Sequence, residues 1–198
     1  INVEKYSLGS NNWAISGKKS FNGYPILAND PHRSIAVSSL RYLTHLVSPS
    51  WNVIGGGEPE IPGISIGHNE HGAWGLTVFR TDAEDLYIYD VNPENKNMYW
   101  HNNKWLEFET IVENIKIKDA ETKEIELKYS VHGPVTLIDT IDNRAYAVKC
   151  GWLEIGGSPY LASLRMDQAK TWEEFRDACN YSNIPGENMV WVDKYGNI

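Results

Sequence analysis

The sequence predicts a β-rich α+β domain, and three observations carry the prediction. Short apolar runs recur along most of the chain, each bounded by Gly, Pro, Asn or Asp, the pattern of half-buried strands joined by turns. One stretch alone carries a strong helix start, the capping box Thr171-Trp172-Glu173-Glu174 ahead of Phe175, Ala178 and Cys179. No repeat, low-complexity tract or linker divides the 198 residues, a length that allows a substantial core, so one folded unit of something larger is expected.

The elements follow in order. Trp13 and Ile15 alternate with small or polar residues, and Ile26-Leu27-Ala28 follows a Gly-Tyr-Pro turn. Trp51 to Ile54, Ile64 to Ile66 and Ala73 to Val78 are compact runs between glycines and prolines. Leu86 to Val91, Ile115 to Lys118, Ile125 to Val131 and Ala145 to Cys150 continue the pattern. The segment Asn92 to Lys128 is more polar and reads as a surface excursion of hairpins. After the helix, Met189-Val190-Trp191-Val192 reads as a buried strand entered from the Pro185-Gly186 loop. Asp193 to Ile198 reads as a hairpin turn ahead of a missing strand, and Ile1 is not a natural start, so the sequence reads as part of a longer chain.

Composition narrows the function classes. With 18 basic against 26 acidic residues the net charge is −8, which argues against nucleic acid or an anionic membrane as partner. No apolar run is long enough to span a bilayer. Cys150 and Cys179 make no disulfide framework; one bridge or two free thiols are both open.

Chemistry concentrates in a few places. In Gly9-Ser10, a serine hydroxyl needs a base beside it. A serine at a chain terminus carries its own, because an α-amine titrates near pH 7.7–8.0. That chemistry requires cleavage between Gly9 and Ser10; the alternative is a plain turn entering a strand. Asn29-Asp30-Pro31-His32 is either a capped loop with a hydrogen-bonded histidine or a site where His32 handles the proton leaving a hydroxyl. His68-x-x-His71 supplies too few ligands for a metal and reads as a tight hairpin between strands. Asp82-Ala83-Glu84-Asp85 is either a solvated acidic turn or part of a hard-cation site with ligands from elsewhere. Asn188 either caps a turn or aims its amide into an oxyanion hole. The aromatic content also permits a non-catalytic, carbohydrate- or ligand-binding β-module. Such modules display Trp on an open face, whereas Trp13, Trp74 and Trp191 have apolar neighbours and read as core.

Taken together, the motifs match one family in order and spacing. Gly9-Ser10-Asn11-x-Trp13-Ala14 and Ala28-Asn29-Asp30-Pro31-His32 resemble the start of the β subunit of the penicillin acylases, N-terminal-nucleophile amidohydrolases. Pro62-Gly63 through Gly67-His68-Asn69, Ala73 to Thr77, His132-Gly133-Pro134-Val135 and Glu187-Asn188 through Gly196-Asn197-Ile198 extend the resemblance to the end of the chain.

The resemblance implies the four-layer αββα fold, residues 1–9 as the end of a removed spacer, and residues 10–198 as an incomplete N-terminal part of the catalytic β subunit. It implies Ser10 as nucleophile, freed by autocatalytic cleavage after Gly9, with its α-amine as base. His32 matches a position that is histidine in the cephalosporin and homoserine-lactone branches. Val78 matches the backbone oxyanion donor and Asn188 the side-chain donor. Arg33, Ile66, Leu76 and Thr77 fall at substrate-binding positions, although the family usually has an apolar or aromatic residue where Arg33 stands. Asp82, Glu84 (through its carbonyl) and Asp85 fall where some members hold a structural calcium; catalysis itself needs no cofactor. The substrate implied is a small N-acyl compound, such as a β-lactam side-chain amide or an N-acyl-homoserine lactone. The partners implied are a separate small subunit and the rest of the β subunit, and the compartment extracellular or periplasmic.

Overall fold

The structure is a computed structural model, and it describes residues 9–33, 36–157 and 160–198. Most of the expected spacer, residues 1–8, lies outside the described residues. The chain divides into two compact units, residues 1–81 with 155–198, and residues 82–154. The sequence signalled one unit with an excursion at 92–128. The crossing at 154/155 falls beside Gly156-Gly157-Ser158-Pro159, a short linker-like run that the sequence reading did not use, whereas no such run marks the crossing at 81/82.

The first unit is built on a five-stranded antiparallel sheet. Strands β3 (Tyr42–Ser48), β4 (Trp51–Gly57), β5 (Ile66–Asn69) and β6 (Gly72–Val78) form a meander, and β14 (Glu187–Asp193), from the end of the chain, pairs along β6. The β5–β6 turn is the tight hairpin expected around His68 and His71: the Asn69 carboxamide oxygen accepts from the backbone N–H of His71 (2.8 Å) and Gly72 (3.0 Å). A separate hairpin of β1 (Ser10–Ile15) and β2 (Ile26–Pro31) lies against β6 and β14.

Two short helices cover the other face, α1 (Ser163–Met166) and α2 (Trp172–Cys179). The Thr171 hydroxyl caps α2 by accepting from Glu174 N–H at 3.3 Å. The Glu174 carboxylate, however, reaches back to Lys170 N–H (2.7 Å), one residue before the cap. Phe175 and Ala178, three apart on α2, drop into a core with Val53, Ile64, Trp74, Met166 and Trp191. Trp74 and Trp191 stack at 6.3 Å, and Phe175 lies 4.8 Å from Trp191. Both tryptophans are core, as expected. Trp13 is not: it is 51% exposed on the hairpin.

The second unit holds strands β7 (Glu84–Asp90), β10 (Glu109–Ile115), β11 (Lys123–Ser130), β12 (Gly133–Asp139) and β13 (Arg144–Cys150) in the order β10-β11-β12-β13-β7, with a hairpin of β8 (Met98–His101) and β9 (Lys104–Glu107). The strand expected at Ile115 to Lys118 instead ends at Ile115, and its preceding residues form β10. Tyr89, Val91, Tyr99, Phe108, Ala145 and Ala147 make its core. The His132-Gly133-Pro134 motif is the β11–β12 turn. Gly133 sits at φ 136°, and a Cβ there would lie 2.2 Å from the Val148 carbonyl oxygen. His132 stacks on Tyr87 at 3.7 Å and hydrogen-bonds the Tyr89 hydroxyl. Cys150 and Cys179 are free thiols. Among the described residues no helix is long and apolar enough to cross a membrane.

Candidate functional site

Ser10 opens β1 opposite Pro31, which puts it beside the end of β2 and the residue that follows, His32. The hairpin is pinned over β6 at one point. A Cβ on Gly75 would lie 2.3 Å from the Asn29 carboxamide oxygen, so only glycine lets β2 approach β6 this closely. That approach brings Ser10 to the end of β6, where the Val78 N–H donates to Ser10 Oγ at 3.3 Å.

Asn188 arrives from β14. The register pairs Asn188 with Thr77 and Glu187 with Val78, so Asn188 lies across from the last turn of β6. Its amide nitrogen is 3.4 Å from both the Thr77 hydroxyl oxygen and the Val78 carbonyl oxygen. The Val78 N–H thus meets the serine hydroxyl directly, and the Asn188 amide lies at the same strand end with its hydrogens on the Thr77 and Val78 oxygens. That donor set can hold negative charge developing on a carbonyl oxygen beside Ser10 Oγ.

His32 sits on the other side of the serine. Its backbone N–H donates to the Gly9 carbonyl at 2.9 Å. Its Nε2 lies 3.1 Å from Asp30 Oδ2 and 3.3 Å from the Asn11 amide nitrogen. In the neutral tautomer that donates from Nε2 to Asp30, Nδ1 is the ring's acceptor. Nδ1 faces the Gly9 position, 3.4 Å from where a Cβ would be. The Gly9–Ser10 peptide bond is therefore bracketed by a hydroxyl, an imidazole nitrogen and an N–H on its carbonyl oxygen. In this continuous polypeptide the Ser10 nitrogen is an amide and has no basicity.

The expected substrate-binding residues separate. Leu76 lines a cavity of about 370 Å³ between the β6–β14 edge, α1 and the segment entering β14. Thr77, one residue on, points to the opposite face and contacts the Asn188 amide. Ile66 lines a different recess, with Asn29 and Trp74. Arg33 turns back on the chain and donates from Nη1 to the His32 carbonyl at 3.2 Å.

The acidic run belongs to the second unit. Glu84 and Asp85 are adjacent on β7 and so point to opposite faces, with Glu84 accepting from the Cys150 thiol at 3.5 Å. Calcium takes six to eight oxygens. Asp82, the Glu84 carbonyl and Asp85 make a partial set at most, and among the described residues no cluster of three or more His, Cys, Asp and Glu side chains gathers.

Two residues escaped sequence reasoning. Glu187 lines the same cavity as Leu76, and nothing in its sequence context distinguishes it from an ordinary strand-entry glutamate. Asp167, 4% exposed at the end of α1, accepts from the Ile64 N–H at 3.1 and 3.2 Å. Burial pushes its carboxyl up to about 7, with the Ile64 hydrogen bond opposing. Glu187 stands in the family-like run that begins Glu187-Asn188, where only Asn188 was given a role, and Asp167 stands in no motif.

The chain is similar to several known proteins. The penicillin G acylase of Escherichia coli is 26% identical over 193 residues, covering 98% of this chain and 23% of that protein. The acyl-homoserine lactone acylase QuiP of Pseudomonas aeruginosa is 27% identical over 176 residues, covering 88% of this chain and 21% of that protein. The chain thus spans about a quarter of the length of the curated relatives it matches. A solved structure, the thermostable penicillin G acylase from Alcaligenes faecalis, superposes with a TM-score of 0.81 at 29% identity, covering 93% of this chain and 33% of that one. The family model for penicillin amidase matches residues 2–198. From Gly9 through the β6–β14 strand end, this chain belongs to the penicillin amidase family.

Proposed function

We propose that the protein to which this chain belongs is an amidohydrolase that cleaves linear amides through an acyl ester on Ser10, after cutting its own chain at Gly9–Ser10. The observation that carries the reading is the Val78 N–H at 3.3 Å from Ser10 Oγ, two groups 68 positions apart in sequence.

In maturation, Ser10 Oγ attacks the Gly9 carbonyl carbon while His32 accepts the hydroxyl proton and its N–H holds the carbonyl oxygen. The C–N bond breaks as His32 passes that proton to the Ser10 nitrogen, leaving Gly9 as an ester on Oγ and the nitrogen as a free amine, and water releases Gly9 as a carboxylic acid. In turnover that α-amine, whose ordinary pKa is about 7.7–8.0, takes the Ser10 hydroxyl proton as Oγ attacks the substrate carbonyl. Val78 N–H and the Asn188 amide hold the oxyanion, the proton passes to the departing amine, and water hydrolyses the acyl-Ser10 ester.

The relatives' names, penicillin and acyl-homoserine lactone acylases, support N-acylated β-lactam nuclei and N-acyl-homoserine lactones as substrate classes. We read the two units as parts of a four-layer αββα fold completed by the rest of the β subunit and a small subunit, in an extracellular or periplasmic protein. A relative named as a proenzyme, penicillin acylase 2 of Pseudomonas sp. strain SE83, supports maturation by cleavage. A calcium at Asp82, the Glu84 carbonyl and Asp85 would be structural and would take no part in these steps.

The test is to trap the ester. Full-length protein quenched during hydrolysis of a slow phenylacetyl or alkanoyl amide should gain the acyl mass on the peptide beginning with Ser10. Turnover with acyl mass on another residue, or none on Ser10, would remove Ser10 as the nucleophile.

A further inference from the structure

The cavity beside Leu76 lies at the strand end that carries Val78 and Asn188, although neither residue is in its lining and the Asn188 amide contacts Thr77 on the other face. Leu76 lies two residues before Val78 and Phe79 directly after it, and Gly186 and Glu187 directly precede Asn188. The Phe79 N–H closes on the Gly186 carbonyl at 3.2 Å and ties those two segments together. Met166, Met189 and Cys179 give the cavity an apolar wall, and burial pushes the Cys179 thiol up, keeping it an unreactive part of that wall.

Glu187 is the one carboxylate in the lining. The acylase steps make no use of it. Its Oε2 is fully shielded and has no hydrogen-bond partner among the described residues. A shielded acceptor without a donor is costly. The two cations that act on Glu187 make their direct contacts elsewhere: Arg41 meets Glu58 Oε1 at 2.6 Å, with its own Nε left without a hydrogen-bond partner among the described residues, the other Glu58 oxygen accepts from Ser65 Oγ at 2.7 Å, and Arg33 donates to the His32 carbonyl. Arg41 and Arg33 act on Glu187 through their fields: burial pushes its carboxyl up, the two guanidiniums pull it down, and Glu58 pushes it up. Tyr160, also in the lining, feels the same three charges and that of Glu187 itself.

We propose that Glu187 is a specificity residue of the Ser10 site, selecting acyl groups that carry a hydrogen-bond donor, a hydroxyl or an amine, over purely hydrocarbon ones. The proposal rests on the acyl-Ser10 reading above, since it takes the cavity next to Val78 and Asn188 as the place of the acyl half. A donor on the acyl group satisfies the shielded Oε2, while a hydrocarbon acyl group seals it off unpaired. A site built around an unpaired polar group discriminates more sharply against the analogue lacking the partner than an apolar pocket does against an extra methylene.

The test uses full-length, processed protein and two readouts. Calorimetry measures binding of phenylacetate and of the positional isomers of hydroxy- and aminophenylacetate, product-like acids that are not turned over. Hydrolysis of the matching amides of one chromogenic amine gives kcat/KM for each acyl group. At least one donor-bearing acid should bind roughly tenfold or more tightly than phenylacetate, in the range of one hydrogen bond to a charged group, with the same order in kcat/KM. Glu187→Leu should reduce that ratio to about one. Glu187→Gln keeps an acceptor and should retain the hydroxyl preference while losing part of the amine preference, so the assignment stays testable if Glu187→Leu misfolds. Equal binding of all acids by the wild type, or an unchanged ratio in a folded Glu187→Leu, would overturn it. Hydrolysis without any acid preference rejects Glu187 and leaves the acylase reading intact. Acid preference without hydrolysis rejects the acylase reading and leaves Glu187 as a ligand-binding residue.

Discussion

Replacing Asp167 by Asn should flatten a pH dependence of stability that the wild type displays. Asp167 is buried at the end of α1, and its carboxyl shares the single Ile64 N–H. Burial raises its pKa from the ordinary 3.8 to about 7. The folded protein therefore holds a proton that the unfolded chain has released across that interval. Stability from this group is fully present below about pH 4 and is lost as pH rises towards 7, with little further change above. Roughly three pH units at ~1.4 kcal/mol each give ~4 kcal/mol as a ceiling. Relaxation around the charged form lowers the expected figure to about 2 kcal/mol. Asn keeps an oxygen for the Ile64 N–H and does not titrate. Urea unfolding of full-length wild type and Asp167→Asn from pH 4.5 to 8 isolates the group, because other titrations cancel in the difference. The wild type should lose about 2 kcal/mol relative to the variant over that range, most of it before pH 7. A difference that stays constant, or that moves in favour of the wild type as pH rises, would refute the buried-carboxylate account.

Other substitutions address the proposed site. Asn188→Ala removes a donor that matters mainly in the transition state, so kcat should fall roughly 10²–10³-fold with a smaller effect on KM; a rise in KM at unchanged kcat would reduce Asn188 to a binding or capping residue. Arg33→Leu should selectively weaken kcat/KM for glutaryl-like acyl groups against phenylacetyl and alkanoyl ones, and a uniform change across that panel would reject Arg33 as a reader of acyl charge. Excess chelator should lower the melting temperature of the full-length protein if calcium binds at Asp82, Glu84 and Asp85, because a bound ion stabilises the folded state by mass action; an unchanged melting curve would leave only an acidic turn.

Strands with regular alternation and clear turns were legible in the sequence: β1, β2, β4, β6, β7 and β13 fall where their apolar runs place them. Strand β3 was not, because it is an edge strand whose Leu43 (86% exposed) and Val47 (69%) break the inside–outside alternation that marks a buried face. Strand β12 hid behind the His132-Gly133-Pro134 motif, which reads as a turn and is one, but leads directly into seven paired residues. Of the candidate site, Ser10 and His32 lie close in sequence and across one hairpin, and so could be suspected together. The approach of Val78 to Ser10, and the placing of Asn188 beside Val78, came from family resemblance alone. Local spacing carries no information about a contact 68 positions long. Glu187 and Asp167 needed coordinates, since a carboxylate becomes unusual only when burial removes its water.

The central claim is that Ser10 becomes a chain terminus whose own amine activates its hydroxyl. N-terminal sequencing and intact mass of the purified full-length product test it most directly, with Ser10→Ala alongside. The account predicts a large subunit beginning at Ser10 in the wild type and a single uncut polypeptide in Ser10→Ala. Hydrolytic activity from a protein still joined at Gly9–Ser10, or normal cleavage there in Ser10→Ala, would contradict it.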